Sequence, residues 1–395
     1  MQIGKPEEMG FCNQRLARIT TKMRRYVDEQ KLAGISTLIA RRGKVVHFEQ
    51  VGMANIEAGT PMAADTLFRI YSMTKPITSV AVLMLLEESR FRLNDPVADY
   101  LPEFKDSRVL DNTNLVKPQR PMTIRDLLTH TAGLSYGFDE NYHLDQLYGQ
   151  QVWSAVENNP DLTLAEWIGT IARLPLAYHP GTRYRYSVAT DVLGYLVQVV
   201  SGVPFADFLQ ERIFAPLGMN DTCFTLPAEK LNRFATNYGP KEGGGLQVID
   251  APQNSRYLRP TQRPSGGGGL LSTSGDYLRF TQLLLNGGEL DGVRLLGRKT
   301  VELMTTNHLP DGIYVDNDPT TGLGFGLGVS VLLDLGKGQT LGTVGTYGWG
   351  GAANTNFWID PREEMIGILM LQFIPSGTYP VTPDFRILAY QALVD

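Results

Sequence analysis

Apolar positions near the start of the chain recur at helical spacing. Leu16, Ile19, Met23 and Tyr26, within residues 13 to 30, predict an amphipathic helix. Two apolar runs between Gly34 and Gly52 then flank Arg41-Arg42-Gly43-Lys44, which predicts a β-hairpin with Gly43 at the turn. Residues 355 to 373 repeat the hairpin pattern about Asp360-Pro361-Arg362, and Pro383 to Val394 reads as a closing helix. Helix and hairpin at the front are thus mirrored by hairpin and helix at the back. A mostly antiparallel sheet built from both chain ends, flanked by helices, is the economical arrangement.

The middle of the chain follows a different period. From Ile77 to about Leu226 the apolar spacing is helical, punctuated by Gly202, Pro204, Pro216 and Gly218. The expected class is therefore α/β (α+β), with an all-helical lobe over 77–235 inserted into an α/β unit made of 1–76 and 236–395. Residues 240 to 270, with Gly243 to Gly245 and Gly266 to Gly269, read as long loops returning into the sheet.

Composition narrows the partners. The 395 residues are 43% hydrophobic with a net charge of −5, enough apolar surface to offset chain entropy and too little positive charge to seek nucleic acid or anionic membrane. Val80 to Leu86, among the longest apolar stretches, is far too short to span a bilayer. The N-terminal residues carry no apolar signal region, so the expectation is a soluble cytoplasmic protein. Cys12 and Cys223 cannot make a disulfide framework and read as buried small hydrophobes. The five histidines do not cluster at metal-ligand spacing, so no metal is expected. Gly348 to Ala353 formally fits GxGxxA, but a strand-like segment follows where a helix should start. No cofactor is expected.

Two serines qualify as nucleophiles. Gly133-Leu134-Ser135-Tyr136-Gly137 matches GxSxG, yet the residues before it have helical rather than strand spacing, which the nucleophile elbow requires. Ser72-Met73-Thr74-Lys75 has better surroundings: an apolar helix follows, and a spacing of three puts Ser72 and Lys75 on one helical face. A serine at a helix start gains from the positive end of the helix dipole. The bland alternative is a helix-capping serine beside a solvated lysine. Pro76 disfavours helical geometry at Lys75 and counts against a regular turn there.

Three further segments bear on the choice. Tyr186 lies in Pro180 to Ser187, at the mouth of a helix; Ser265 to Thr273 is glycine-rich and leads into another helix; Tyr347-Gly348-Trp349-Gly350-Gly351 precedes the last hairpin. With Ser72-Met73-Thr74-Lys75 and residues 127 to 134 (LLTHTAGL), in this order, the chain resembles the serine β-lactamase and penicillin-binding-protein superfamily. It looks most like the class C β-lactamase-like family VIII carboxylesterases, over nearly its whole length. The resemblance implies Ser72 as nucleophile, with Lys75 and Tyr186 for proton transfer. It implies an oxyanion hole from the backbone N–H groups of Ser72 and Ala352, and substrate contacts from Trp349, Gly350, Gly351 and Tyr136. Val188 stands where the family's Tyr-x-Asn element has its amide, and Trp349-Gly350-Gly351 where β-lactamases carry Lys-Thr-Gly.

Acyl transfer needs a deprotonated serine, a donor to the leaving alkoxide and two donors on the oxyanion. Lysine and tyrosine can do the proton work without a histidine, provided the site tunes them as one unit. The expected function is a serine carboxylesterase acting on short-acyl, small-molecule esters. A β-lactamase, a D,D-peptidase or an acyltransferase on the same fold are the alternatives. Trp349 supplies no charge for a substrate carboxylate, which points away from β-lactams unless Arg183, Arg185 or Arg263 reaches the site from a loop. Substrate identity and oligomeric state are not readable from the residues.

Overall fold

The computed structural model describes residues 2–395. Its main sheet is assembled from both chain ends. Across it run Gln2–Ile3, Lys44–Asn55, Gly34–Arg41, Met365–Leu371, Asn356–Asp360, Tyr347–Gly350, Ser330–Leu332 and Leu323–Phe325, with the short strand Thr60–Pro61 paired off this path. Neighbours are antiparallel except Gln2–Ile3, which runs parallel to Lys44–Asn55. The fold is mixed α/β with a β-lactamase-like sheet between helices, as expected.

Gly34–Arg41 and Met365–Leu371 are buried at every position, because they occupy the middle of the sheet and helices cover both faces. On one face the helices Arg18–Asp28 and Val381–Tyr390 pack together; Ile19, Met23, Trp358 and Phe385 belong to that core. The four apolar positions of the first helical stretch are all buried. On the other face lie Ser274–Leu285 and the almost wholly buried helix Thr74–Glu87, which packs in turn on Ala189–Ser201. The front hairpin turns through Arg42 and Gly43, both at positive φ (51° and 75°), as a two-residue connection requires.

Four expectations are corrected. The inserted lobe is not all-helical: Val109–Asp111 and Asn114–Val116 pair as a short antiparallel hairpin within it. Residues 240 to 270 are not all loop: Asn237–Pro240 and Leu246–Asp250 form an antiparallel hairpin, turned by Gly243 to Gly245 at positive φ. Its second strand is mostly exposed and so carries little hydrophobic alternation. The closing helix starts two residues earlier than expected and ends at Tyr390. Cys12 and Cys223 are free, but only half-buried. No single helix among the described residues is long and apolar enough to cross a membrane.

Candidate active site

The helix Thr74–Glu87 is fed by a single tight turn, Tyr71–Met73, that carries Ser72. Tyr71 adopts φ 43°, an unfavourable conformation for a tyrosine held here immediately before the candidate nucleophile. Surrounding bonds hold the turn. The Tyr277 hydroxyl donates to Met73 O at 2.9 Å, Asn237 Nδ2 donates to the Tyr71 hydroxyl at 3.0 Å, and Thr355 Oγ1 donates to Ile70 O at 3.2 Å. Ser72 makes no capping bond, so the capping alternative does not describe it. Pro76 does not break the helix. It sits in the first turn, where its missing N–H has no intrahelical acceptor.

Lys75 is fully buried, and its Nζ reaches three oxygens: Ser72 Oγ at 3.1 Å, the Tyr136 hydroxyl at 2.9 Å and Gly267 O at 2.6 Å. Three acceptors saturate an ammonium; a neutral amine would instead donate two bonds and accept the Ser72 proton. Gly267 must be glycine for this approach, because a Cβ there would lie 2.5 Å from Asp191 Oδ2 and 2.9 Å from the Tyr136 hydroxyl. Asp191, at the start of helix Ala189–Ser201, closes the floor. Its Oδ1 accepts from Ser265 Oγ at 2.5 Å and from Gly267 N at 2.9 Å. Burial pushes the Asp191 carboxyl up, and the charge of Lys75 works against that shift.

The two tyrosines take different places. Tyr136 bonds Lys75 directly. Burial, reinforced by Asp191, Tyr186 and Tyr184, drives its phenol well above the ordinary range, so it stays a neutral hydroxyl. Tyr186 makes no hydrogen bond to Lys75; its ring lies below the Nζ, 4.6 Å to the centroid. Its hydroxyl accepts from Trp349 Nε1 at 3.4 Å. His130, buried and held well below its ordinary value by burial and then by Lys75, packs 4.8 Å from the Tyr186 ring. It supports the tyrosine as a neutral imidazole.

The strand Tyr347–Gly350 brings Trp349 and Gly350 to the opposite wall, and Gly351 and Ala352 follow. Gly351 also has to be glycine: a Cβ would lie 2.5 Å from Ile70 O and collide with Thr355. Among the described residues, the amides of Ser72 and Ala352 have no backbone acceptor, and both residues line the cleft. The cleft has a volume of about 1250 Å³. It brings together Ser72, Tyr136, Tyr186, Trp349, Gly350, Gly351 and Ala352, with Lys75 beneath.

Ser135 lies elsewhere in chemistry. It is buried, donates to Asp145 Oδ1 at 2.6 Å and accepts from Arg185 Nε at 3.1 Å. Arg185 is itself paired to Asp145 at 2.7 Å, Arg183 stacks on Tyr178, and neither lines the cleft. Arg263 does line it. Sequence reasoning missed Asp191. Its signal was an acidic residue amid the apolar positions of a helix, beside Val192.

Comparisons agree with this geometry. Residues 19–391 match the Beta-lactamase family model. The chain is 33% identical to Esterase EstB of Burkholderia gladioli over 393 residues, 95% of each protein. Its fold superposes on EstCE1, a hydrolase with promiscuous acyltransferase activity, with a TM-score of 0.82 at 28% identity, covering 95% of this chain and 99% of that one. Simvastatin synthase (LovD) from Aspergillus terreus gives 0.81 at 25% identity, covering 96% and 98%. A family model spanning nearly the whole chain, an esterase relative of equal length and a serine–lysine pair at a helix start lead to one assignment: the chain belongs to the beta-lactamase family of serine hydrolases, where it stands with the family VIII carboxylesterases.

Proposed function

We propose that this enzyme is a carboxylesterase that hydrolyses short-acyl esters through an acyl-enzyme on Ser72. The observation that carries the reading is the 3.1 Å contact between buried Lys75 Nζ and Ser72 Oγ at the floor of a cleft. Ser72 Oγ attacks the ester carbonyl carbon as its proton passes to Lys75 in the amine form. The tetrahedral oxyanion accepts from the Ser72 and Ala352 amides. Collapse breaks the bond to the alcohol oxygen, which leaves with a proton delivered through Tyr186 and Lys75 acting together. Water then attacks the acyl carbon, the same groups take its proton, and Ser72 is released with the acid.

Tyr186 lies on the cleft side of Lys75, within reach of Trp349 Nε1, where a leaving oxygen would depart. Tyr136 is the neutral partner that holds the Lys75 head group in place. A second reading, transfer of the acyl group to an alcohol, is favoured by the size of the cleft and by the activity stated for EstCE1. It uses the same steps with an alcohol in place of water. Initial rates on an ester panel, nitrocefin and a D-Ala-D-Ala peptide, each with and without added alcohol, test both readings. Turnover of the peptide or nitrocefin above the esters would overturn the first.

A further inference from the structure

Beside one part of the cleft stand two covered donors that nothing in the protein accepts. Arg263 Nη1 is fully covered and has no hydrogen-bond partner, and the indole Nε1 of Trp167, a residue only 2% exposed, has none either. The two side chains are neighbours: the Arg263 guanidinium carbon lies 5.2 Å from the centre of the Trp167 ring, and both line the cleft. Arg256 lines it as well, and its Nη2 donates to the Tyr257 hydroxyl at 3.4 Å. Half-buried Arg263 and exposed Arg256 thus both line the cleft without a salt bridge among the described residues, although the molecule pairs many of its other arginines, such as Arg69, Arg120 and Arg233.

The nearby acids do not fill the gap. Asp191 accepts from Ser265 and Gly267 through Oδ1, Asp250 is paired with Arg69, and Glu157 lies exposed at the cleft rim. Burial, and then the charge of Arg256, hold the Arg263 guanidinium below its ordinary value, with Asp191 opposing. A half-buried guanidinium with a second cation nearby is unfavourable until an anion joins it.

The position of this part relative to the chemistry follows from a row of aromatic contacts. Trp349 meets Tyr186 at 5.6 Å, Tyr186 meets Tyr136 at 5.2 Å, Tyr136 meets Trp153 at 6.3 Å, and Trp153 meets Trp167 at 6.0 Å. Arg263 adjoins Trp167, four ring contacts along this chain from Trp349. An apolar substrate body can lie along this row, with Phe138, 74% exposed and stacked on Tyr136, at its mouth.

We infer that the cleft takes esters bearing a carboxylate remote from the scissile bond, with that carboxylate held by Arg263 and supported by Arg256. A planar guanidinium suits a carboxylate in two-point contact. This rests on the esterase reading of Ser72 and deepens it. The carboxylate can belong to the acyl chain or to the alcohol, and the two sources are separable.

The test uses 4-nitrophenyl half-esters of dicarboxylic acids, from succinate to suberate, against the same compounds capped as methyl esters. A second arm uses butanoate esters of ω-hydroxy acids against their methyl-capped forms. In one arm, the free acid should exceed its capped twin at least tenfold in kcat/KM at the best chain length. Arg263→Gln should lower that charged-to-neutral ratio at least tenfold, Arg263→Lys should retain part of it, and Arg256→Gln should lower it less. A ratio of one or below at every length in both arms, or equal losses for both twins in Arg263→Gln, would overturn the site. Calorimetry on Ser72→Ala with the same pairs keeps the two readings apart. Tighter binding of the free acid, erased by adding Arg263→Gln, supports the anion site even if wild-type protein hydrolyses neither ester. Robust hydrolysis of neutral esters with no charge preference in binding sinks the anion site and spares the esterase.

Discussion

Lys75 and Tyr136, sixty-one residues apart in sequence, meet at 2.9 Å through Nζ and the phenolic oxygen, while Tyr186 offers Lys75 only its ring face. The proton-transfer unit thus has three members with separable duties. Lys75→Ala and Tyr186→Phe should each lower kcat by at least about a hundredfold, as expected for positioned acid–base groups. The double variant should lose far less than the product, because the pair acts as one unit. Tyr136→Phe removes a single hydrogen bond to Lys75, worth about 1.5 kcal/mol, so kcat should fall roughly tenfold. Steady-state kinetics on one neutral ester decide the order; a Tyr136→Phe loss equal to that of Tyr186→Phe would exchange their roles.

Ser135 offers a second contrast. Its hydroxyl donates to Asp145 in a buried group completed by Arg185, so its contribution is to stability. Ser135→Ala should leave most ester hydrolysis intact while lowering unfolding free energy by about 1–3 kcal/mol. Ser72→Ala should abolish turnover and keep the fold. Labelling by an active-site phosphonate, with the adduct mapped by mass spectrometry, separates the two serines.

The parts of the fold legible in sequence were those set by local period. The helix of Leu16, Ile19, Met23 and Tyr26, the hairpin at Gly43 and the Ser72–Lys75 pair all depend on residues within a few positions of one another. The hairpin at residues 237 to 250 escaped because its strands are short, one is largely exposed, and the intervening glycines read as a loop. The partners of Lys75 escaped for another reason. Tyr136 and Gly267 come from distant loops, and no spacing rule links a lysine to a carbonyl 192 residues away. Arg263 was recognisable only as a cation on a loop; that its part of the cleft lacks a counter-ion is a property of packing.

Trp349 sets the expected discrimination against β-lactams. Its indole packs edge-on to Phe325 at 5.1 Å and spends its N–H on Tyr186, so Trp349 itself offers no charge to a carboxylate placed close to the reacting carbonyl. Arg263 adjoins Trp167, four ring contacts along the aromatic row. A carboxylate beside Trp349 would lose hydration without a partner, a penalty of at least a few kcal/mol. A gap of about 4 kcal/mol corresponds to roughly a thousandfold. On that basis kcat/KM for 4-nitrophenyl butanoate should exceed that for penicillin G by about that factor. Equal values would mean that a cation reaches this wall.

The last expectation concerns stability and pH. His47, on the strand Lys44–Asn55, is buried, pairs with Thr37 Oγ1 at 2.8 Å through Nε2, and is pushed by burial down to about 4. In the unfolded chain the imidazole titrates near 6.5. Between those values the unfolded state binds a proton that the native state refuses, so unfolding free energy rises with pH at about 1.4 kcal/mol per unit. The stabilisation is fully present above about pH 6.5 and is lost as the pH falls toward about 4, a change on the order of 3 kcal/mol. His47→Gln keeps a polar partner for Thr37 and cannot titrate. Denaturant midpoints across that window should fall more steeply on acidification for the wild type than for His47→Gln. Parallel curves would show that the native imidazole accepts its proton at the ordinary pH and that burial does not exclude it.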